Sequence, residues 1–479
     1  MKKLNFIIKY GLALLLLSFY SCESWLNVTP SDRLSEEMLF NDREGFVKAL
    51  NGVYIELNTN ELYGRNLTAG ALDVMGQYYS VASSSHAFYN YGGLVYTGND
   101  EKALFDNMWQ KCYAVIACCN TIIEKCDENK AGLSPVWRGS IKGEALALRA
   151  MLHFDMLRLF SASPAIDKER KAIPYLESYT NLPQHQLTVG AVLEKVVKDL
   201  NAARELMREV DPYGPNYAKL ESLYRNHPLL RNRQKHLNYY AVLGLKARIC
   251  LYAKDVTAAY GAANEVILAQ QQKGLFPWVK TADITTTEAN LRDRTFSSEH
   301  LFAFNTTKLE EYIKGYFREA SLPLMERLMP GELYEADDYR TALYETYSGF
   351  ANVLTKFWQM DKAYVQGQGY VTPKRNRMPA IRIAEMYYIA AEALKESNIG
   401  EALEMLNTLR VHRGLMKLEN LDKDQLQEEL GREYYREFIG EGQVFFYHKR
   451  MNTSIIATAN AVYVLPMPDD EIDLGQREQ

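Results

Sequence analysis

The sequence predicts a fold built from pairs of α-helices that are separated by long irregular loops. Apolar residues recur at three-and-four spacing over several long windows, which is typical of helices with one buried face. Two of the helix pairs each fit into about 32–36 residues, the length of a tetratricopeptide repeat. The segments between the pairs are rich in Gly, Ser, Asn, Pro and Tyr, and long loops of this kind are usually functional. A helical scaffold with polar and aromatic insertions favours a binding protein.

The predicted helices follow one another along most of the chain. A first pair spans residues 105–125 and 136–160, and Asn, Gly and Pro residues mark the break between them. A single helix over 189–207 follows, with Thr188 as its N-cap. Tetratricopeptide-like packing and generic helix packing both account for this pattern. The remaining two pairs are 237–253 with 256–271, and 381–396 with 400–412.

The first 22 residues predict export and a lipid anchor. Basic residues precede an apolar run, residues 10–20, which is shorter than the roughly 20 residues of a membrane-spanning helix. This order is typical of a secretory signal peptide, here residues 1–21. The segment ends at Ser21-Cys22, as in bacterial lipoproteins whose cysteine is acylated. The alternative is a plain signal peptide in which Cys22 is incidental.

Composition and charge exclude several classes of protein. Of the 479 residues, 47% are hydrophobic and 24% are charged, which excludes a disordered, collagen-like or coiled-coil chain. The formal net charge is −5 and no basic stripe is present, so no nucleic-acid partner is expected. The 33 Tyr residues outnumber the 18 Phe residues, and tyrosine suits binding surfaces that are apolar but wet at one edge.

The five cysteines beyond Cys22 are predicted to be buried free thiols. Three of them are spaced by seven residues, which places them on one stripe of a helix. Seven helical residues rise about 10.5 Å, which exceeds the roughly 7 Å limit between the Cα atoms of a disulfide. The five residues are Cys112, Cys118, Cys119, Cys126 and Cys250.

No recognised catalytic motif occurs in the sequence. The eight histidines form no H-E-x-x-H motif, and the chain has no nucleophile elbow, phosphate-binding loop or dinucleotide fingerprint. His153 is expected to be a packed core histidine, while Glu144 and Arg149 are expected to form structural ion pairs. We therefore predict a protein that is not an enzyme and that has no cofactor and no metal site.

A series of short motifs runs in order from residue 22 to about residue 472. The strongest is the central pair formed by residues 109–120 and by GEALALRA at 143–150. The others are CESWLNVTP (22–30), FVKALNGVY (46–54), ARICLY (247–252), IRIAEMYYIAAEA (381–393), EFIGEG (437–442) and VLPMP (464–468). Together these motifs resemble the SusD/RagB family, the nutrient-binding surface lipoproteins of Bacteroidetes-type bacteria. Residues 473–479 depart from the family pattern, since its closing Asn and aromatic tail are missing.

The resemblance implies a mainly α-helical, SusD-like fold, with tetratricopeptide-type helix pairs on one side and long irregular ligand-binding insertions on the other. It assigns residues 22–479 to one domain whose N-terminal part, about 22–300, packs with a C-terminal part, about 301–479. It also implies a lipid-anchored, surface-exposed protein of the cell outer membrane that delivers a nutrient to a SusC-like TonB-dependent transporter without catalysis. Family members mostly bind glycans, and some bind peptides.

The loop over residues 70–100 is the predicted ligand site. A glycan needs aromatic rings for the C–H faces of its sugars and polar groups for its hydroxyls, and this loop offers both. Trp278 and Trp358, in the irregular stretch 274–379, are further candidates. The alternative is that part of these aromatic residues packs against the scaffold. The candidates within the loop are Asp73, Gln77, Tyr78, Tyr79, Tyr89, Asn90, Tyr91 and Tyr96.

The sequence is compatible with three hypotheses about the function, and the first of them allows two classes of ligand. The ligand of a nutrient-capturing lipoprotein is most simply an oligosaccharide or polysaccharide, but the same architecture would also serve oligopeptides. A tetratricopeptide-type scaffold in the envelope would instead bind proteins through its helices. A carbohydrate-active enzyme would need two facing carboxyls about 5–9.5 Å apart, a pair that sequence alone does not reveal.

Overall fold

Long α-helices dominate the structure and confirm the mainly α-helical fold. The computed structural model describes residues 36–478 except 181, 217–225, 319–321, 368, 372–373 and 456–462. Cys22 and the predicted signal peptide lie outside the described residues. The helices of eight or more residues are α1 (Arg43–Leu57), α2 (Asn99–Glu128), α3 (Pro135–Phe160), α4 (Val189–Arg208), α5 (Tyr239–Tyr252), α6 (Val256–Lys273), α7 (Ile383–Leu394), α8 (Ile399–His412), α9 (Lys423–Glu437) and α10 (Val444–Met451).

The predicted helix pairs form a continuous layer in which each helix packs on the next, from α2 to α8. α3 and α5 are buried on almost every side. Gly143 lets α3 approach α4 closely, because a Cβ atom there would lie 2.8 Å from Cγ of Met207. None of the helices in the described chain combines the length and the apolar composition that crossing a bilayer requires.

Most helix ends lie close to their predicted positions. Thr188 is confirmed as the N-cap of α4, since its hydroxyl oxygen accepts a hydrogen bond from the backbone N–H of Ala191 at 3.2 Å. Two further helices, α9 and α10, lie outside the segments for which the sequence predicts a helix. A capping box formed by Asp422 and Gln425 starts α9, and this motif is the sequence signal that indicates the helix.

Short β-strands occur within the stretch for which the sequence predicts irregular structure, residues 274–379. The described residues form three two-stranded antiparallel sheets. The β1–β6 sheet packs on α5, where the missing side chain of Gly244 leaves room for Leu301 and Ile381. The other two sheets are hairpins, β2–β3 and β4–β5. The strands are β1 (His300–Asn305), β2 (Tyr344–Tyr347), β3 (Phe350–Leu354), β4 (Ala363–Val365), β5 (Gly369–Val371) and β6 (Arg377–Arg382).

Buried ion pairs join α9 to the strands and to the end of α8. Three arginines, Arg340, Arg382 and Arg413, each pair with Glu437 at 2.5–2.8 Å. Glu433, one turn earlier on α9, also pairs with Arg340 at 2.9 Å. Removing one member of such a network leaves a buried charge without compensation, which is strongly destabilising. We refer to these residues, together with Glu299, Lys356 and Glu441, as the buried charge cluster.

The five cysteines in the described chain are free, as predicted. Cys112, Cys119, Cys126 and Cys250 are buried, but Cys118 is exposed, which corrects the expectation that all five are buried. Cys118 lies one residue, or about 100° of helical rotation, away from the buried stripe of α2. It therefore faces solvent.

Buried apolar side chains form one cluster across the described chain. The cluster includes Phe40 near its start and Met467 near its end. It therefore ties together the helices and strands on which the candidate site is built. The assignment of residues 1–21 to a signal peptide and the subdivision near residue 300 stay predictions.

Candidate functional site

An open cleft of about 310 Å³ lies beside the short helix Leu309–Ile313 and the segment that links β3 to β4. Phe357, Trp358 and Met360 form its apolar wall together with Ile313. We call it the Trp358 cleft. The structure thus places Trp358, one of the predicted candidates, in the wall of a cavity of ligand-binding size.

Polar and charged groups complete the lining of the Trp358 cleft. The side chain of Gln359 is held by two hydrogen bonds of 2.7 Å, one donated to the backbone oxygen of Phe357 and one accepted from the backbone N–H of Asn376. Two carboxylates and two ammonium groups balance each other, so the lining has no formal net charge. These groups are Glu310, Asp361, Lys314 and Lys362, and Asn290 adds a second amide.

Local contacts hold Trp358 at the cleft. Its backbone N–H donates to the backbone oxygen of Thr355 at 3.0 Å. Its indole packs edge-on against the ring of Tyr347, with the centroids 5.0 Å apart. Trp358 remains half-buried, so part of the indole stays accessible to a ligand.

The residues before Trp358 are anchored to the buried charge cluster. Lys356 pairs with Glu441 at 2.6 Å and donates to the backbone oxygen of Ile439 at 2.8 Å. Phe357 is buried against Gly440, where a side chain of any size would overlap the phenyl ring. Gly440 also has a φ of +80°, a conformation that favours glycine. The cleft wall therefore rests on a rigid turn.

Two exposed tyrosines lie directly after the cleft residues in the chain. Tyr364 on β4 and Tyr370 on β5 are 66% and 71% exposed, and their rings meet edge-on with centroids 5.6 Å apart. Nζ of Lys362, which lines the cleft, lies 5.3 Å from the centre of the Tyr370 ring. These two tyrosines are not among the site residues predicted from the sequence. Their spacing around a glycine-containing turn, Gly367–Gly369, is the signal that indicates a hairpin presenting both rings.

The 70–100 loop presents fewer side chains than predicted. Six of its candidates are buried, and a buried ring offers no face to a ligand. The hydroxyl of Tyr78 donates to the backbone oxygen of Tyr435 at 3.0 Å. The amide of Gln77 donates to the backbone oxygen of Gly92 at 2.8 Å. The buried residues are Asp73, Gln77, Tyr78, Tyr79, Tyr91 and Tyr96.

Asp73 supports the turn beneath the cleft. Its carboxylate accepts hydrogen bonds from the backbone N–H groups of Gly440 and Gly442. Burial raises the pKa of the Asp73 carboxyl to about 7, although these two hydrogen bonds act in the opposite direction. Asp73 is therefore a structural residue of the turn that packs against Phe357.

Tyr89 and Asn90 are the predicted candidates of this loop that remain exposed or half-buried. Tyr89 is 42% exposed, while the Asn90 amide donates to Oε1 of Glu101 at 3.1 Å. The loop reaches the segment that carries the cleft through Tyr316, whose ring lies 5.1 Å from that of Phe88. Tyr316 follows the helix Leu309–Ile313 closely, so the loop contacts the same chain segment that lines the cleft.

Trp278 lies against the helical layer. Its indole stacks on the imidazole of His412, with the centroids 4.7 Å apart and the planes 22° apart. It also contacts Tyr387 on α7, and the guanidinium of Arg413 lies 5.6 Å from the ring centre. Trp278 does not line the Trp358 cleft, so the structure does not bring the two candidate tryptophans into one cavity.

Two family models match the chain. The model described as "Starch-binding associating with outer membrane" matches residues 24–215, and the model described as "SusD family" matches residues 280–460. The two matches do not overlap and together span most of the sequence. The chain belongs to the SusD/RagB family. The expected family membership and the SusD-like fold are thereby confirmed.

Individual relatives of this SusD-family chain are distant in sequence but similar along its length. SusD-like protein P2 of Formosa agariphila is 24% identical over 460 residues, which cover 89% of this chain and 85% of the relative. A SusD superfamily protein of Bacteroides vulgatus has a TM-score of 0.72 at 20% identity, covering 92% of this chain and 98% of the other. A SusD-like carbohydrate binding protein of Bacteroides vulgatus has a TM-score of 0.66 at 22% identity, covering 88% and 86%.

Glu144 and Arg149 are structural in this SusD-family chain, as predicted, but each pairs with another element. Arg149 binds Asp199 of α4 through two hydrogen bonds of 2.7 Å. Glu144 forms an ion pair with Arg233 and accepts a hydrogen bond from the hydroxyl of Tyr54 at 2.7 Å. Both pairs tie α3 to its neighbours.

His153 is confirmed as a packed core histidine. Its Nε2 accepts a hydrogen bond from the backbone N–H of Leu176 at 3.0 Å, so Nδ1 carries the proton that is donated to the backbone oxygen of Arg149 at 2.9 Å. Burial lowers its pKa to about 3 and keeps the ring neutral. The part of the chain that the structure describes contains no group of three or more His, Cys, Asp or Glu side chains placed to hold a metal ion.

Proposed function

We propose that this protein captures an oligosaccharide or polysaccharide at the cell surface and delivers it to a SusC-like TonB-dependent outer-membrane transporter, without catalysis. The observation that carries the proposal is the Trp358 cleft, where indole and phenyl rings lie among amides and balanced charges. Sugars need this combination, because their C–H faces stack on aromatic rings while their hydroxyls need hydrogen-bond partners.

The descriptions of a matching family model and of a similar structure support a glycan as the ligand class. One of the matching family models is described as starch-binding and outer-membrane-associated, and one of the similar structures is a carbohydrate binding protein. At about 20% identity these relatives support the class of ligand, while the particular sugar depends on side chains at the cleft.

A chain of several sugars would extend beyond the cleft. Tyr364 and Tyr370 would provide the next stacking surface on one side, since their exposed rings follow the cleft residue Lys362. Tyr89 is a second candidate, because Phe88 of its loop contacts Tyr316, which follows the cleft residues Ile313 and Lys314 closely in the chain. We therefore propose an open site that accepts a polymer.

Tethering of the chain to the outer membrane, with the body exposed at the cell surface, is part of the proposal. The signal peptide over residues 1–21 and the acylation of Cys22 would provide the tether, and the family description supports association with the outer membrane. The transporter is tested by purifying the tagged chain from membranes in mild detergent. Recovery of a TonB-dependent transporter in equal amount supports delivery, while recovery of the chain alone contradicts it.

The ligand is tested by titrating the purified chain with a panel of polysaccharides and peptides in a calorimeter. Replacing Trp358 with alanine is expected to weaken glycan binding at least tenfold, about 1.4 kcal/mol, because the stacking surface is lost. Trp278→Ala is the matched control, since it removes a half-buried indole outside the cleft.

The tyrosine hairpin is tested with the same glycan. Tyr364→Ala and Tyr370→Ala are expected to weaken binding of long oligosaccharides more than that of short ones. Tyr179→Ala is the control, because Tyr179 is 68% exposed but lies outside the cleft and the hairpin.

Other outcomes would favour other functions. Binding of peptides and not of glycans at the cleft would favour oligopeptide capture, and release of reducing ends from a polysaccharide would indicate an enzyme. If no polysaccharide and no peptide of the panel binds, the result would favour a protein-interaction scaffold.

A further inference from the structure

A second, smaller pocket of about 120 Å³ shares no lining residue with the Trp358 cleft. It lies where the turn at residues 231–235, just before α5, meets the end of β1 and the start of β6. Asn305 and Arg377 face each other across these two strands. The pocket thus joins two parts of the chain that are distant in sequence.

The lining of this pocket is positively charged. It includes Arg231, Arg233, Lys235 and Arg377, and none of its lining residues is acidic. Arg233 is compensated, because Glu144 and Asp211 pair with it in the interior. The other three cations form no ion pair with any carboxylate of the described residues. The formal charge of the whole chain is −5, so this positive excess is a local feature.

Two of these cations lie close enough to affect each other. Nζ of Lys235 donates to Oδ1 of Asn305 at 2.9 Å, and Asn305 pairs with Arg377 in the sheet. Partial burial lowers the pKa of Lys235, and the positive charge of Arg377 lowers it further. A negative group between them would relieve this repulsion.

The pocket is held in shape without a ligand. Arg233 is fully buried and donates two hydrogen bonds, of 3.0 and 2.6 Å, to Oδ2 of Asp211. The amide of Asn238 donates to the backbone oxygens of Arg233 and Leu301, at 2.9 and 2.7 Å, and so joins the turn to β1. Such preorganisation reduces the entropy lost on binding.

We propose that this pocket binds an oxyanion, a phosphate or sulfate group that is either a free ion or part of a larger ligand. Guanidinium groups are suited to such groups because they donate parallel hydrogen bonds to two oxygens. The volume is well below the roughly 300–1,000 Å³ of pockets for whole drug-sized molecules, and it matches one small polar group. The proposal does not depend on glycan capture at the Trp358 cleft.

The test is calorimetric titration of the detergent-solubilised chain with sodium phosphate and sodium sulfate at low, constant ionic strength. Saturable binding of one anion per chain is expected. Arg377→Gln and Lys235→Gln are each expected to weaken it at least tenfold. Arg432→Gln is the matched control and is expected to bind like the original chain, since Arg432 is 57% exposed and pairs with Glu428 on α9.

Thermal unfolding establishes that each variant is folded before its binding is compared. If a sugar monophosphate or monosulfate binds more tightly than the free ion, the ligand is a phosphate or sulfate group that is part of a larger molecule. Equal affinity supports the free ion as the ligand. The proposal is overturned if neither the ions nor the sugar esters bind saturably, or if folded Arg377→Gln and Lys235→Gln chains bind like the original. Trp358→Ala is expected to retain anion binding, so failure of glycan capture and failure of this pocket are separable.

Discussion

Two buried carboxyls show how the surroundings of a residue set its protonation. Burial raises the pKa of a carboxyl in both Asp73 and Glu433. In Glu433 the guanidinium groups of Arg340 and Arg436 outweigh burial and lower the pKa to about 2, whereas in Asp73 burial outweighs the hydrogen bonds from Gly440 and Gly442 and the charge of Lys356, and its pKa is about 7. The two residues therefore change stability in different pH ranges and in opposite directions.

Glu433 is expected to contribute to acid unfolding. Its pKa in the folded chain lies below the ordinary value of 4.5, so its contribution is complete above about pH 4.5 and is lost as the pH falls towards 2. Glu433→Gln is expected to cost about 3–5 kcal/mol near neutral pH, because it breaks buried ion pairs, and to reduce the further loss between pH 6 and pH 3. Urea denaturation at both pH values measures this effect.

Glu428→Gln on the same helix is the control for this experiment. The side chain of Glu428 is 68% exposed and pairs with Arg432 at the surface, so its loss is expected to cost less than about 1 kcal/mol. Equal stability of the two variants at all pH values would contradict the role assigned to the buried charge cluster.

Asp73 is expected to make the protein less stable as the pH rises. Its folded pKa of about 7 lies above the ordinary 3.8, so its contribution is complete below about pH 4 and is lost as the pH rises through 7. Asp73→Asn removes the titratable carboxyl but keeps one oxygen that can accept a hydrogen bond from the backbone of the turn. The variant is expected to show a smaller fall in the free energy of unfolding between pH 5 and pH 8. An unchanged fall would mean that another group titrates.

Burial of side chains also explains which of the predicted candidate residues lie at the cleft and which do not. Trp358 is a large aromatic residue in an irregular stretch, and the structure places it in the cleft. Tyr78 and Tyr79 have the composition of a sugar platform, but they pack inward because their loop is covered by residues 323–325 and by α9. These partners are more than 200 residues away along the chain, so local composition could not reveal them.

Among the larger elements, the turn at residues 438–442 links the buried charge cluster to the cleft. Gly440 has a φ of +80°, and its Cα lies against the ring of Phe357. The Asp73 carboxylate accepts hydrogen bonds from the backbone N–H groups of this turn. Displacement of the turn would therefore be transmitted through Phe357 to Trp358.

Gly440→Ala is expected to destabilise the chain by about 2–5 kcal/mol and to weaken glycan binding. The added methyl group carries both the strain of a positive φ, about 1–2 kcal/mol, and a collision with Phe357, about 1–3 kcal/mol. Gly349→Ala is the matched control, since Gly349 has a φ of +84° but no atom within 4 Å of the added Cβ. Denaturation and calorimetry would contradict this mechanism if both variants lost the same stability and kept full affinity.

Helices were easier to predict than hairpins for a physical reason. Long helices such as α3 repeat their apolar pattern over many turns, and Thr188 marks the start of α4. The strands of the hairpins have three to five residues, which is too short for a period to be recognised. α9 was missed because the inward face of its last two turns carries Glu433 and Glu437, which resemble a solvated surface until their arginine partners are known.

At the scale of the whole molecule, the tether that we propose consists of acyl chains attached to Cys22. An acyl chain contributes about 0.8 kcal/mol per buried CH₂ group, and stable anchoring takes more than one chain. Loss of Cys22 would remove every acyl chain of the proposed anchor.

Cys22→Ser is expected to move the protein from the membrane fraction to the soluble fraction and to abolish labelling with radioactive palmitate. Cys118→Ser is the control, because Cys118 is an exposed free thiol in the body and its loss is expected to change neither property. Fractionation of cells followed by detection of the chain measures both. Retention of the Cys22→Ser chain on membranes would show that another part of the protein anchors it.

The hairpin that carries Tyr364 and Tyr370 has a consequence for how such proteins diversify. Its two rings contact each other, and the Tyr370 ring also contacts Lys362. Both rings lie outside the buried charge cluster and the apolar core. Exposed substitutions of this kind usually change stability by no more than about 0.5 kcal/mol. If these rings bind the glycan as proposed, substitutions at Tyr364 and Tyr370 would therefore change which ligand is bound while the helical layer stays the same.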